Sequence, residues 1–234
     1  MKLIIFLTLL NYFYLATIAQ VVPIDIFLGK PNSYNVTGGN GVQIYVEEKG
    51  DPEKTTILLT CGYHSISISW DSIWLDPDVY KRFHLVRWDY RGTGQSEKPA
   101  DFDAYSLDLH AQDLGAVVTK IKSKKSKKKI VLVGWSFGSL TSLAFMKKHP
   151  DVEIGGFVSV GGVANFAFNF IEETNKIFIA INDPKDNFST VMSGFSGIAR
   201  IASFKPLSYE FIALTVGQAA LNSPGFRKAN LFGK

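Results

Sequence analysis

The sequence predicts an α/β fold, a mostly parallel sheet with flanking helices, and three observations carry that expectation. Four short, apolar, β-branched runs, 55–60 (TTILLT), 84–88 (HLVRW), 129–133 (KIVLV) and 156–160 (GFVSV), have the length and composition of strands buried on both faces of a parallel sheet. Segments of helical period lie between them, the alternation that right-handed crossovers require. A serine flanked by glycines, GWSFG at 134–138, stands directly between one such run and one such helix.

Ahead of the fold, residues 1–19 read as an export signal. Lys2 supplies a positive charge, 3–10 an apolar stretch broken only by Thr8, and Thr17, Ile18 and Ala19 a small-residue cleavage site before Gln20. The protein is therefore expected to be secreted. The alternative is a membrane anchor through an uncleaved signal, because the apolar stretch continues through Tyr12, Phe13, Tyr14 and Leu15 and approaches the length of a span. The triplets Asn35-Val36-Thr37 and Asn187-Phe188-Ser189 agree with secretory passage and glycosylation. A single cysteine, Cys61, excludes an intrachain disulfide, so the fold rests on its core and the thiol is expected to be buried.

From 34 to 49, polar and apolar residues alternate around Gly38, Gly39 and Gly41, as in two antiparallel strands joined by a glycine turn. Helical spacing follows over 70–83, interrupted by Pro77. It is clearest over 106–121, where Leu107, Leu109, Leu114, Val117, Val118 and Ile121 fall largely on one stripe. A third helix is expected over 136–148, and 204–221 reads as helical and amphipathic. The core of the fold is assigned to 20–162, with strands 1 to 6, and a cap-like helical region to 163–234. In that region Phe166, Phe168, Phe170, Ile171, Ile177, Phe178, Ile179 and Ile181 either line an apolar pocket or form the core of the cap itself.

At 46% hydrophobic and 20% charged, the chain has the balance of a soluble globular protein. Its formal charge of +4 comes from the run KSKKSKKK at 122–129, without which the remainder is slightly acidic. Such a run is a solvated loop, and with no interleaved aromatics and no second basic patch a nucleic-acid partner is not expected.

The segment GWSFG carries the chemistry. A nucleophile at the tip of a strand-to-helix turn needs small neighbours so that backbones can approach closely. The serine then meets the free N–H groups and positive dipole end of the helix, which favour developing negative charge. Two further segments extend the pattern. Residues 87–96, RWDYRGTGQS, match a strand exit of the form Asp-x-Arg-Gly-x-Gly-x-Ser, and 58–63, LLTCGY, end a strand in glycine.

Over roughly 43–163, these residues resemble the α/β-hydrolase superfamily, whose fold is therefore expected here. The resemblance implies that Ser136 is the nucleophile and that the backbone N–H groups of Tyr63 and Phe137 form the oxyanion hole. It makes Gly134, Gly138, Asp89 and Arg91 structural, and it implies no metal and no cofactor. Cys61 stands where the family usually has a histidine that supports the oxyanion loop, and His64 is close enough in sequence to replace part of that support. Cys61 itself is not expected to be a nucleophile, having no evident base or dipole to lower its pKa.

A serine hydroxyl also needs a base, and the family order is serine, then acid, then histidine. All four histidines, His64, His84, His110 and His149, precede the elbow or closely follow it. His149 lies at the far end of the helix, roughly 20 Å from Ser136 at 1.5 Å per residue. A truncated gene product is therefore expected, the alternatives being an isoform or a pseudoenzyme, and a sheet ending at its sixth strand should leave an apolar edge. His64 is the candidate substitute base, without an evident acid partner, whereas His110 and Asp113 are expected at the surface.

The activity implied is that of a serine hydrolase of esterase, lipase or peroxidase-like type, acting on a small apolar ester-like substrate. Serine at the elbow argues against the dehalogenase and epoxide-hydrolase branches, which use aspartate there. The alternative is a non-catalytic ligand-binding pseudoenzyme of the same fold.

Overall fold

A computed structural model describes residues 32–123, 128–162, 172–183, 185, 187–201, 216–218 and 220–228. The expected export signal, Lys124, Lys125 and Lys127 of the lysine run, Phe166 to Ile171, and most of 204–221 lie outside the described residues. Among those described, six strands form one sheet: β1 (Ser33–Thr37), β2 (Gln43–Lys49), β3 (Thr56–Thr60), β4 (His84–Trp88), β5 (Ile130–Trp135) and β6 (Gly156–Val160), in the order β1-β2-β4-β3-β5-β6. β2 runs antiparallel to β4, with Val46 opposite Trp88 and Glu47 opposite Arg87. The pairs β3–β4, β3–β5 and β5–β6 are parallel, so the sheet is mostly parallel, as expected.

The turn between β1 and β2 uses Asn40 at φ 54° and Gly41 at φ 80°, left-handed conformations that short polar residues and glycine tolerate best. Leu58, Leu59, Leu85, Val86 and Leu132 are buried without residual exposure, which explains the unbroken apolar runs. Cys61 is also buried, with its thiol pKa raised by desolvation, the Asp89 charge adding to the effect.

Seven helices are described: α1 (Asp71–Trp74), α2 (Pro77–Tyr80), α3 (Leu107–Ser123), α4 (Phe137–Lys148), α5 (Glu172–Ile181), α6 (Phe188–Ile201) and α7 (Pro224–Lys228). The expected helix over 70–83 is in fact broken. A 3-10 turn, Ser67–Trp70, runs into α1, and α2 starts afresh at Pro77. Proline can occupy the first turn of a helix but not continue one, and the Asp76 carboxylate caps the new start by accepting from the Asp78 amide at 2.8 Å.

α3 lays Leu109, Leu114, Val117, Val118 and Ile121 into the core, as its spacing predicts. His110 and Asp113, expected at the surface, are both fully buried on this helix. The Arg91 guanidinium pairs with Asp113 through two bonds of 2.7 Å, which offsets part of the penalty that keeps a lone carboxylate in water, although desolvation still raises its pKa.

The run 156–160 forms a strand but is not buried on both faces. β6 is the last strand of the described sheet, and Val158 and Val160 are 48% and 42% exposed. An outermost strand has one neighbour, so part of its apolar surface stays open. α5 and α6 pack against each other, where Ile181, Val191 and Phe195 are buried with Ile177, Met192 and Val216 around them. In the described part of 163–234, these apolar side chains thus form a small core of their own, while Ile179 and Phe188 are exposed.

Candidate active site

Ser136 lies at the junction of β5 and α4 with φ 51° and ψ −116°, a conformation that a residue with a β-carbon adopts only under constraint. Its amide donates to the Val160 carbonyl at 3.0 Å, and its carbonyl accepts from the Ser139 amide at 3.0 Å. The turn therefore hangs between the end of β6 and the first turn of α4. Close approach explains the flanking glycines. A β-carbon on Gly134 would lie 2.6 Å from the backbone of Gly138 and Ser139, and one on Gly138 would overlap the Thr60 carbonyl at the end of β3. Ser136 is partly exposed, and no described side chain hydrogen-bonds its hydroxyl.

The β3 exit meets the elbow at Gly62, where a β-carbon would lie 3.4 Å from that of Ser136. Tyr63 follows, its ring edge-on to that of Phe137 at 5.6 Å between centroids. The two candidate oxyanion donors thus sit on adjoining segments, one in the loop after β3 and one at the start of α4. That helix, 12 residues long, directs its N-terminus at the serine.

Asp89 and Arg91, the candidate structural residues, are both buried. The Asp89 carboxylate accepts from the amides of Ser67 at 2.7 Å and Gln95 at 2.9 Å, while desolvation raises its pKa. Besides Asp113, Arg91 donates to the carbonyls of Gly39 at 2.7 Å and Ala104 at 2.9 Å, tying the β4 exit to α3 and to the β1–β2 turn.

No histidine among the described residues hydrogen-bonds Ser136. His64 is buried at φ 63°, its ring 3.6 Å from that of Tyr63, and neither ring nitrogen has a partner among the described residues. Desolvation, assisted by Arg227, holds its pKa well below the usual value, so the imidazole is neutral. His110 has no ring-nitrogen partner either, faces Tyr90 and Phe137 edge-on, and is pushed down to about 3 by desolvation and the nearby Arg91 charge. His84 instead bonds Thr56 and Glu48 on the sheet, and His149 ends α4. Among the described residues, no group of three His, Cys, Asp or Glu side chains could hold a metal ion.

Some contributors gave no sequence signal. Asn222 donates its side-chain amide to the His64 carbonyl at 2.8 Å, and Phe226 packs beside Tyr63, His64 and His110 while its carbonyl accepts from the Tyr63 hydroxyl. Arg87 did carry a signal, as the one charge inside the buried run HLVRW.

A family profile described as alpha/beta hydrolase fold matches residues 55–195. The chain is 27% identical over 128 residues to "Probable oxidoreductase EphD" of Mycobacterium tuberculosis, covering 54% of this chain and 21% of that protein. It is 33% identical over 113 residues to the human serine hydrolase BPHL, covering 48% of this chain and 37% of BPHL. The chain thus spans well under half the length of these curated relatives. Among solved structures, a Burkholderia cenocepacia protein assigned as an aryl esterase superposes with a TM-score of 0.74 at 26% identity, over 86% of this chain and 73% of that one.

Proposed function

The chain belongs to the α/β-hydrolase fold family, and from that premise we propose that it serves as a serine hydrolase of esterase or lipase type, with Ser136 as its nucleophile. The observation that carries the proposal is the constrained backbone of Ser136, at φ 51° between β5 and α4 with Gly62 packed against it. The serine Oγ would bond to the carbonyl carbon of a small apolar ester as the carbonyl π bond opens onto its oxygen. The hydroxyl proton would pass through water to the alcohol as the ester C–O bond breaks, and a second water would then cleave the acyl-serine to release the acid. The amides of Tyr63 and Phe137 are the donors proposed for the carbonyl oxygen. Each such donor stabilises the transition state by about 3 kcal/mol in related chemistry.

A second function, a non-catalytic ligand-binding protein, is favoured by one observation. His64 and His110, the buried imidazoles nearest the loop and the elbow, bond neither Ser136 nor a carboxylate among the described residues. Hydrolysis of p-nitrophenyl acetate and longer p-nitrophenyl esters separates the two. Turnover that disappears in Ser136→Ala supports the hydrolase, whereas saturable ester binding without turnover supports the binding protein.

Secretion belongs to the same proposal. Asn35 and Asn187 are exposed, as glycan acceptors must be. A secreted chain beginning at Gln20, and shortened by endoglycosidase, would support export; a membrane-retained chain beginning at Met1 would support the anchor.

A further inference from the structure

We infer that Arg87 is a positioning residue that holds the loop carrying Tyr63 against the reactive serine, a role that rests on the proposed parts of Ser136 and Tyr63. Every residue of β4 is buried, and Arg87 has no exposure. A guanidinium cannot be placed there without partners. Its Nε donates to Glu47 on β2 at 2.6 Å, directly across the antiparallel register. Its Nη1 donates to the Asp71 carboxylate at the start of α1 at 2.6 Å and to the Ser67 carbonyl at 3.3 Å. The Trp74 ring lies 4.3 Å from the guanidinium carbon.

Alternate residues along an extended chain share a face. Two residues beyond Arg87, Asp89 accepts the Ser67 amide at 2.7 Å. The N–H and C=O of Ser67 are thus held from successive positions on one side of the β4 backbone. The other end of the loop is fixed at Thr60, paired with Gly134 in the β3–β5 ladder. Between these anchors lie Gly62, Tyr63 and His64, and His64 stays at φ 63°. A non-glycine residue keeps that conformation only when its surroundings overdetermine it. The charged clamp at Ser67 supplies that determination beside the donor. A guanidinium serves acceptors on β2, the loop and α1 at once, whereas a lysine ammonium is a single point charge.

Two variants test this. Arg87→Lys keeps the charge and removes the fork. Asp71→Asn weakens one arm at a partly exposed site while Glu47 still pairs with Arg87. Two readouts apply to folded protein well below its melting temperature: the rate at which a fluorophosphonate labels Ser136, and amide exchange in a peptide covering 61–70, with one covering 130–148 as control. Arg87→Lys should label roughly 10- to 100-fold more slowly, the scale of a misplaced catalytic group. Asp71→Asn should lie between it and the wild type, and in both variants exchange should quicken in 61–70 and not in 130–148. A rescued melting temperature would not restore labelling if Arg87 positions the loop. Wild-type labelling and exchange in both folded variants would overturn the inference. If the wild type takes no label, the hydrolase proposal fails by itself and exchange decides: selective loss of protection in 61–70 upholds the clamp, and unchanged protection overturns it. If Arg87→Lys does not fold, Asp71→Asn decides on the same criteria.

Discussion

The Ser136 amide donates to the Val160 carbonyl at 3.0 Å, so the last residue of β6 holds the serine in its left-handed conformation ahead of α4. Strain of this kind costs about 1–3 kcal/mol. Glycine adopts the same φ freely but gives the unfolded chain about 0.4–1 kcal/mol of extra entropy. Ser136→Gly should therefore raise stability by about 1 kcal/mol while abolishing any reaction of the serine. Urea unfolding would show a higher midpoint with unchanged slope; a lower midpoint would mean that the turn is not strained.

Gly138 and Gly115 should respond to alanine in opposite directions. A β-carbon on Gly138 would collide with the Thr60 and Cys61 carbonyls, pushing α4 away from β3 and the serine away from the loop. At Gly115, within α3, the same atom would meet the Phe145 ring at 3.5 Å, an ordinary contact. Gly138→Ala should cost about 1–3 kcal/mol. Gly115→Ala should gain about 0.5–1 kcal/mol from helix propensity. Thermal melts of the two variants check both signs.

The Arg91–Asp113 pair is wholly buried. Removing one partner leaves a charge without compensation, so Arg91→Met should cost about 3–5 kcal/mol. Arg91→Met with Asp113→Leu should recover a large part of that loss, as measured by a denaturant double-mutant cycle. Equal losses in the single and double variants would mean that packing, not charge, is what the pair supplies.

His110 makes stability depend on pH, and the sign follows from its low folded pKa. The folded chain holds the ring neutral down to about pH 3, whereas the unfolded chain takes up a proton near pH 6.5. Between those values the unfolded state binds more protons, so stability falls as pH falls. His110→Leu should flatten the acid side of the profile and add about 1–2 kcal/mol at pH 7 by removing unpartnered buried nitrogens. Melting temperatures at pH 7 and pH 5 test this: the gain should be larger at pH 5, and an equal gain at both would contradict it.

The strands were legible because each apolar run was short and bounded, and the elbow because glycines surround Ser136 between a strand and a helix. Burial of His110 and Asp113 was not legible, since a stripe counted only in apolar residues leaves a polar one outside. Asp113 enters the core through Arg91, 22 residues earlier in the chain, a pairing that no local pattern encodes. The break at Pro77 was visible as an interruption but not as two separate helices. The open edge at β6 was expected from its place as the sixth and last strand of the sheet, whereas the apolar run 156–160 taken by itself reads as buried on both faces. Arg87 was conspicuous in its run, yet its partners come from β2, the loop and α1, and only the fold brings those together.

Mass spectrometry of the folded chain after reaction with a fluorophosphonate tests most directly whether Ser136 is an assembled nucleophile. The geometry of the elbow predicts one adduct per chain, on the peptide containing Ser136 and absent from Ser136→Ala. A chain shown to be folded that gains no mass, or gains it on another residue, would contradict that role.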